Sequence, residues 1–177
     1  MLRVIGHKNV VSTQTVCDED YVPLTFRQLT SSYIVPLYWL SGDRKTQVIE
    51  IGLDPYDSSI LNVVVAGFGS IKKNTTIEEN TYDEIVQGVP QCDLSRWPLP
   101  ADIKAWTGDR FVTEETAFNA VVLRSSLAIY FSGTNKLRRG YQAGEIIFGE
   151  DDTGSLACIE YKPANRDHLT YLLKMFG

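Results

Sequence analysis

Few residues in this chain are suited to metal binding or covalent catalysis. There are two histidines, His7 and His168, and three cysteines, Cys17, Cys92 and Cys158. The histidines are far apart in sequence, and no Cys-x-x-Cys pair is present to anchor a zinc ion. The sequence also lacks a Gly-x-Ser-x-Gly nucleophile elbow and a complete glycine-rich phosphate loop. We therefore predict no catalytic residues, no metal and no cofactor.

Long apolar segments and net positive charge are missing as well. The apolar runs at residues 34–40 and 63–66 are far too short to cross a bilayer, and the N-terminal residues do not have the apolar core of a signal peptide. The three widely spaced cysteines predict three buried, reduced thiols, and reduced thiols are typical of the cytoplasm. The net charge is -5, whereas a nucleic-acid partner requires a concentrated positive face. We expect a cytoplasmic protein that binds neither membranes nor nucleic acids directly.

The composition is that of an ordinary globular protein, with 44% hydrophobic and 22% charged residues. A chain of 177 residues is most simply one domain, which we predict to span residues 1–177. Its best-specified stretch is residues 127–161, where three apolar segments of strand length are divided by two polar connections. Gly133, Thr134 and Asn135 open the first connection, and residues 150–154 form the second with Asp-x-Gly turn chemistry. This pattern predicts an antiparallel meander.

Helices are predicted at four places outside the meander, and the shortest of these candidates lies at residues 102–107. Asp54 and Pro55 resemble an N-cap followed by proline at the first helical position, and this favours a helix over residues 55–68. The β-branched run at 63–65 makes a strand the competing interpretation. Residues 81–87 are compatible with one or two helical turns. At the C-terminus, Asn165 is a candidate N-cap for a helix with one apolar stripe. The stripe consists of Leu169, Leu172, Leu173 and Phe176.

Together these patterns predict an α+β fold with one domain. It would be mainly an antiparallel sheet, with the C-terminal meander packed by a few helices. Residues 88–110 carry several prolines and glycines, but they also carry Trp97 and Trp106, which prefer burial. We therefore expect an ordered crossover at this position, packed against the sheet.

Charged residues cluster in the two connections of the meander. Acidic residues gather at one end, and Lys136, Arg138 and Arg139 lie in the other connection. One interpretation is that the tips of hairpins are simply solvated. The other is a surface that steers a basic protein partner, because complementary charge accelerates encounter. The candidate partner contacts are Glu145, Glu150, Asp151, Asp152, Tyr130 and Arg124.

Five short segments, taken in order, are similar to one family of small bacterial proteins. They are residues 33–40 (YIVPLYWL), 50–54 (EIGLD), 93–98 (DLSRWP), 129–132 (IYFS) and 144–149 (GEIIFG). The most specific pieces are Asp-Leu-Ser-x-Trp-Pro and Gly-x-Ile-x-Phe-Gly. The chain resembles the immunity proteins of contact-dependent growth inhibition systems, CdiI, over roughly residues 30–162.

The resemblance implies a cytoplasmic protein that binds and neutralises the C-terminal toxin domain of a cognate CdiA protein, in a one-to-one complex. Several such toxins are nucleases. The family implies no catalytic residues; Trp97 and Pro98 would fix the crossover, and Phe148 would pack the sheet. Two alternatives stay open from the residues themselves: an interaction protein whose partner is unrelated to toxins, and a small hydrolase in which carboxylates and a histidine converge.

Overall fold

The protein is built almost entirely of β-strands. The computed structural model describes residues 1–10, 12–19, 22–29, 34–73, 79–103, 106–131 and 136–177, without the side chains at positions 18, 19 and 73. Strands account for 54% of the residues and helix for 6%. The predicted α+β class with a few helices is therefore wrong, because most segments of the chain pair laterally and only one short segment is helical.

The strands and the helix have the following bounds. In chain order they are β1 (Val4–Lys8), β2 (Thr13–Glu19), β3 (Val22–Gln28), β4 (Leu37–Ser41), β5 (Gln47–Leu53), β6 (Ile60–Phe68), β7 (Ile71–Lys73), β8 (Tyr82–Gln87), β9 (Val89–Cys92), β10 (Phe111–Glu114), β11 (Asn119–Val122), β12 (Leu127–Tyr130), β13 (Leu137–Ala143), β14 (Ile146–Asp151), β15 (Leu156–Tyr161) and α1 (Asp167–Phe176).

These strands form two large sheets and one small one. The six-stranded sheet has the order β10-β4-β5-β6-β3-β2, and the seven-stranded sheet has the order β7-β11-β12-β15-β14-β13-β8. The remaining pair, β1-β9, is antiparallel. Parallel pairing occurs at β10-β4, β7-β11 and β8-β13. Each parallel pair thus includes an edge strand of a large sheet, and the strands inside each sheet are antiparallel.

The two large sheets pack face to face around a shared apolar core. The Phe26 ring of β3 meets the Phe148 ring of β14 edge-on with a centroid separation of 5.5 Å. The Trp39 ring of β4 meets Phe131 in the same manner at 5.4 Å. Alternate residues of each strand point into this core, and the residues between them point to the outside of the sandwich. The outer faces are therefore set by the strand registers.

Residues 60–68 form strand β6, so the predicted helix over residues 55–68 is wrong. Asp54 does cap a turn, since its Oδ1 accepts a hydrogen bond of 2.8 Å from the Tyr56 amide, but the turn ends at once and the chain becomes extended. Val63 and Val65 are buried in the core, while Val64 points outward. Alternate burial of β-branched residues is the strand pattern. Of the helix candidate at 81–87, residues 82–87 form strand β8. The short candidate at 102–107 lies partly outside the described residues.

The three predicted strands of the meander exist as β12, β14 and β15, but their predicted arrangement is wrong, because β12 is a neighbour of β15 and not of β14 and the first connection contains a further strand. Leu137–Ala143 forms β13, which pairs with β14, and β12 pairs with β15. The sequence pattern of this strand is that of a polar connection, because it contains Arg138, Arg139 and Gly140. Gly133, Thr134 and Asn135 lie outside the described residues.

The C-terminal helix and the packed crossover are both confirmed. In α1, Leu169 and Leu172 are buried, and the Phe176 ring meets Phe68 with a centroid separation of 5.6 Å. In the crossover, Trp97 is 3% exposed, and its Nε1 donates to the Arg110 carbonyl at 2.9 Å. At ten residues α1 is too short to cross a bilayer, and no other helix occurs in the described ranges.

Candidate protein-binding surface

The outer face of the seven-stranded sheet is covered. We define this covered face by the outward residues Ala128, Tyr130, Ile147, Gly149, Cys158 and Glu160. Ala128, Cys158 and Glu160 are 0% exposed, although they point away from the central core. Residues 79–82 lie across these positions, and side chains of this segment form several of the contacts that close the face.

The Tyr82 ring lies flat on the covered face because two glycines leave room for it. Gly140 and Gly149 are opposite each other in the β13-β14 ladder. A Cβ atom at Gly140 would lie 3.1 Å from Cδ1 of Tyr82, and one at Gly149 would lie 3.3 Å from its Cε1. The ring thus crosses toward β15, where its hydroxyl donates to Oε2 of Glu160 at 2.8 Å.

Both oxygens of the buried Glu160 carboxylate have partners. Tyr82 donates to Oε2, Ser126 Oγ donates to Oε1 at 2.6 Å, and Lys162 Nζ lies 3.6 Å from Oε1. Burial, the nearby Cys158 and Glu160 itself raise the pKa of Tyr82 well above its ordinary range. A carboxylate whose two oxygens both accept from neighbouring side chains has a structural role in holding the covered face together.

The rest of residues 79–82 is held by polar contacts of the same kind. Ser125 Oγ donates to Glu79 Oε1 at 2.6 Å, and the Tyr130 hydroxyl donates to Asn80 Oδ1 at 2.5 Å. Asn80 Nδ2 in turn donates to Cys158 Sγ at 3.8 Å. The covered face is therefore closed by a polar network whose members satisfy one another.

The buried thiols are poorly suited to nucleophilic chemistry. Burial and the charge of Asp93 raise the pKa of Cys92 to about 12, and burial followed by the charge of Glu160 raises that of Cys158 well above its ordinary value. Cys17 is partly exposed, and all three cysteines are free. The prediction of three buried thiols is therefore wrong for Cys17, whereas Cys92 and Cys158 are buried.

The outer face of the six-stranded sheet differs, because its side chains remain partly accessible. We define this open face by the outward residues Tyr38, Leu40, Glu50, Asn62, Val64 and Phe111. Every one of them keeps part of its surface in solvent. Thr25, which is opposite Val64 on β3, is the buried exception. The face is apolar and aromatic at one side and carries one carboxylate near its middle.

The aromatic side of the open face is a stacked pair. Tyr38 and Phe111 are in register on β4 and β10, and their rings are parallel within 14° with centroids 5.0 Å apart. Phe111 is 52% exposed although it is a large apolar side chain. The Arg110 guanidinium, one residue before Phe111 in the chain, lies 4.9 Å from the centroid of the Trp106 ring. Partly exposed aromatic and arginine side chains are the residue types enriched at protein interfaces.

Glu50 is the carboxylate of the open face. It is opposite Leu40 on β4 and Val64 on β6, so aliphatic side chains flank it on both neighbouring strands. Desolvation raises the pKa of Glu50 above its ordinary value, and no compensating charge lowers it. Within the described part of the chain, Glu50 has no hydrogen bond and no ion pair.

The acidic turn predicted as a partner contact is largely internal. Glu150 is buried and accepts a hydrogen bond from the Tyr141 hydroxyl. Asp151 is also buried, and its Oδ1 accepts from the amides of Thr153 at 2.9 Å and Ser155 at 3.0 Å. Asp152 is the exposed acid of this turn. The first two carboxylates therefore shape the turn, and a partner could reach only the third directly.

The other candidate contacts are scattered over the molecule. Glu145 is partly exposed, and its Oε1 accepts from the Ala164 amide at 2.7 Å. Tyr130 belongs to the covered face, and Arg124 is exposed between β11 and β12. Of the basic connection, Arg139 forms an ion pair with Glu84 at 2.8 Å. The structure does not bring these residues together into one patch.

Sequence reasoning missed the open face, although a signal for part of it exists. Glu50 interrupts an apolar run between Ile49 and Ile51, which is the pattern of a strand with one core face. The pairing of Tyr38 with Phe111 could not be anticipated, since the two residues are far apart in the chain and become neighbours only through a parallel edge strand.

The two histidines lie in different surroundings. The His7 ring is 6.0 Å from the Tyr141 ring, and His168 Nδ1 is 2.9 Å from the Tyr161 hydroxyl. Among the described residues, no group of three His, Cys, Asp or Glu side chains is arranged to hold a metal ion. No protein-family model and no curated protein matches the chain.

Proposed function

We propose that this chain is a protein-binding module that neutralises the C-terminal toxin domain of a cognate CdiA protein by direct one-to-one contact in the cytoplasm. The observation that carries the binding role is the open face, where a stacked aromatic pair and aliphatic side chains surround Glu50 while remaining in contact with solvent. An apolar and aromatic patch on a protein surface is the usual mark of an interaction site.

The choice of a toxin as the partner is supported by the resemblance to CdiI proteins and by charge. A nuclease toxin needs basic surface to hold nucleic acid. A chain with a net charge of -5 can cover such a surface, and charge of opposite sign accelerates the encounter. Nuclease–inhibitor pairs of this kind reach dissociation constants near 10⁻¹³ M or below.

We propose that the chain acts by occupancy alone, without catalysis. The groups that would be needed for chemistry are held in structural roles: Glu160 accepts from two hydroxyls, and burial keeps the thiols of Cys92 and Cys158 protonated. An inhibitor that binds tightly needs only a complementary surface.

Co-expression tests this proposal directly. The partner to use is the C-terminal domain of the exoprotein encoded immediately upstream of this chain. We expect growth of cells that express the toxin domain to be restored, and the two proteins to elute together at the mass of a one-to-one complex. A toxin domain from an unrelated system is the control and should be neither bound nor neutralised. Absence of both complex and protection would reject the proposal, and binding without protection would indicate an interaction protein of another kind.

A further inference from the structure

Glu50 occupies a position where a carboxylate is costly. In the β4-β5-β6 ladder it stands between Leu40 and Val64, so its flanks are aliphatic and part of its hydration is lost. Removing water from an ionised carboxylate is unfavourable unless hydrogen bonds or a cation compensate. The covered face provides that compensation to Glu160, with two hydroxyls and a lysine. The open face does not provide it to Glu50.

The charged and titratable groups around Glu50 are few. Strand β4 contributes the titratable side chain of Tyr38, whose ring is stacked on Phe111. Strand β6 contributes Val64 and the side-chain amide of Asn62. Strand β3, which lies beyond β6, contributes the cation Arg27. Desolvation is the cause of the raised Glu50 pKa, and Arg27 does not offset it. The carboxylate therefore lacks a cation within the described chain.

A second oxygen acceptor in the same part of the open face, Oδ1 of Asn62, also has no hydrogen-bond donor among the described residues. The Asn62 side chain lies over Gly52, because a Cβ atom at Gly52 would be only 2.2 Å from Asn62 Oδ1. That oxygen is buried and has no hydrogen-bond partner. Asn62 is opposite Gly52 on β5, two residues along from Glu50. Within the described residues, two oxygen acceptors without a donor thus occupy diagonal positions of the β5-β6 ladder.

We infer that the open face docks a basic segment of the toxin domain, and that Glu50 receives an arginine or lysine side chain of that segment beside the Tyr38–Phe111 stack. This inference rests on the proposed function and names the surface that performs it. A guanidinium or ammonium group supplies the donors that Glu50 lacks, and the aromatic faces favour a cation stacked against them. Arg110 over Trp106 is an arrangement of this kind elsewhere in the chain.

The basic partner fits the charges better than a second copy of this chain. Two copies packed through their open faces would each bring an unpaired carboxylate, and both chains carry a net negative charge. A basic toxin surface brings the opposite sign to Glu50. Desolvated ion pairs of this type chiefly slow dissociation, whereas charges at the rim chiefly change the association rate.

The test measures association and dissociation rates of the toxin domain with five forms of the full chain: wild type, Glu50→Gln, Phe111→Ser, Asp152→Asn and Met175→Ser. Asp152→Asn removes the same charge from the exposed acidic turn and is the matched control for Glu50→Gln. Met175→Ser, on α1, removes an apolar side chain as exposed as Phe111 and is the control for Phe111→Ser. Thermal unfolding of each variant verifies that it is folded.

We expect Glu50→Gln to weaken the complex about 30-fold or more, mainly through faster dissociation. Phe111→Ser should weaken the complex by a similar factor, and the two controls should weaken it by less than about threefold.

If Glu50→Gln binds the toxin domain as tightly as the wild type and still protects the cells, this inference is overturned and the proposed function is left intact. A larger loss with Asp152→Asn than with Glu50→Gln would also overturn it and place the contact at the acidic turn. Failure of the wild type to bind would overturn both the proposed function and this inference. A wild-type dimer that Phe111→Ser dissociates would identify a second copy as the occupant of the open face and would overturn the inference.

Discussion

The two sheets of the sandwich each carry a glutamate on the outer side of an interior strand, and they surround it in opposite ways. Glu160 on β15 is 0% exposed and lies under residues 79–82 with donors from Tyr82 and Ser126. Glu50 on β5 is partly exposed, lies between Leu40 and Val64, and has only desolvation acting on its pKa. The same residue type in the same kind of strand position is structurally compensated on one face and not on the other.

Because of this difference, we expect substitutions at the two glutamates to affect different properties, namely folding stability at Glu160 and partner binding at Glu50. Deleting a buried group that others depend on leaves those partners unsatisfied, and the folded state loses free energy. Deleting a group that has no partner removes a desolvation cost without breaking a contact. The covered face should therefore be sensitive to substitution in the free protein, and the open face should be sensitive only in the complex.

The largest effect is expected from Glu160→Ala. It leaves the hydroxyls of Tyr82 and Ser126 buried without an acceptor, so the free energy of unfolding should fall by about 3 kcal/mol. Glu50→Ala is the matched variant on the open face and should cost less than about 1 kcal/mol. Urea unfolding followed by tryptophan fluorescence measures both. Equal losses at the two sites would contradict the comparison.

Tyr82→Phe gives the next largest effect. It retains the ring over Gly140 and Gly149 but removes the donor to Glu160 Oε2, and hydrogen bonds to charged groups contribute about 1.5–3 kcal/mol. We expect a loss in this range by the same unfolding measurement. Tyr56→Phe removes a hydroxyl from a side chain that is 59% exposed and should leave the stability unchanged. A Tyr82→Phe protein as stable as the wild type would show that the network does not hold the covered face.

Phe111→Ser should have only a small effect on the free protein. Half of the ring is already in solvent and the remainder contacts Tyr38, so the expected cost is at most about 1 kcal/mol. A circular-dichroism melt of the variant and of Met175→Ser provides the comparison. A loss of several kcal/mol would mean that Phe111 supports the sheet, and the open face would then be part of the structural framework.

The smallest effect is a slope in the pH dependence of stability, caused by Glu50. Its pKa in the folded protein lies above the ordinary value of 4.5, so the folded state binds more protons than the unfolded state in the window just above that value. The contribution of Glu50 to stability is therefore greatest below the ordinary pKa and is lost as the pH rises through the folded pKa. Urea midpoints of the wild type and Glu50→Gln, taken from about pH 4 to pH 7, should converge at the acidic end and differ in favour of the variant at the other. A constant difference across this range would contradict the prediction.

Local signals in the sequence predicted some elements correctly because neighbouring residues decide them. The stripe of Leu169 and Leu172 predicted α1, and the apolar segments of β12, β14 and β15 predicted three strands of the meander. Residues 55–68 failed for a physical reason: Asp54 and Pro55 start a turn whether or not a helix follows, and the pairing of β6 with β3 and β5 overrides the local helical spacing. Strand β13 was missed because Arg138 and Arg139 are typical of a polar connection. The ion pair of Arg139 with Glu84, on a strand distant in sequence, cannot be predicted locally.

The surface that we propose as the binding site was beyond local reasoning. Acidity in the 150–152 turn marked it as a candidate, yet two of its three carboxylates bond within their own turn or to Tyr141. The open face depends on long-range register, which places Phe111 beside Tyr38 and leaves Glu50 between two aliphatic side chains. Only the pairing of the strands reveals which charges have partners.

The most direct test of the central claim is an NMR titration of the Glu50 side-chain carboxyl carbon, in the free protein and in the complex with the toxin domain. We predict a pKa above the ordinary value in the free protein, because desolvation acts alone there. In the complex a cation of the partner should lower the Glu50 pKa below that value. A Glu50 pKa that is the same in the free and bound states would contradict the account, since the carboxylate would then have gained no partner on binding.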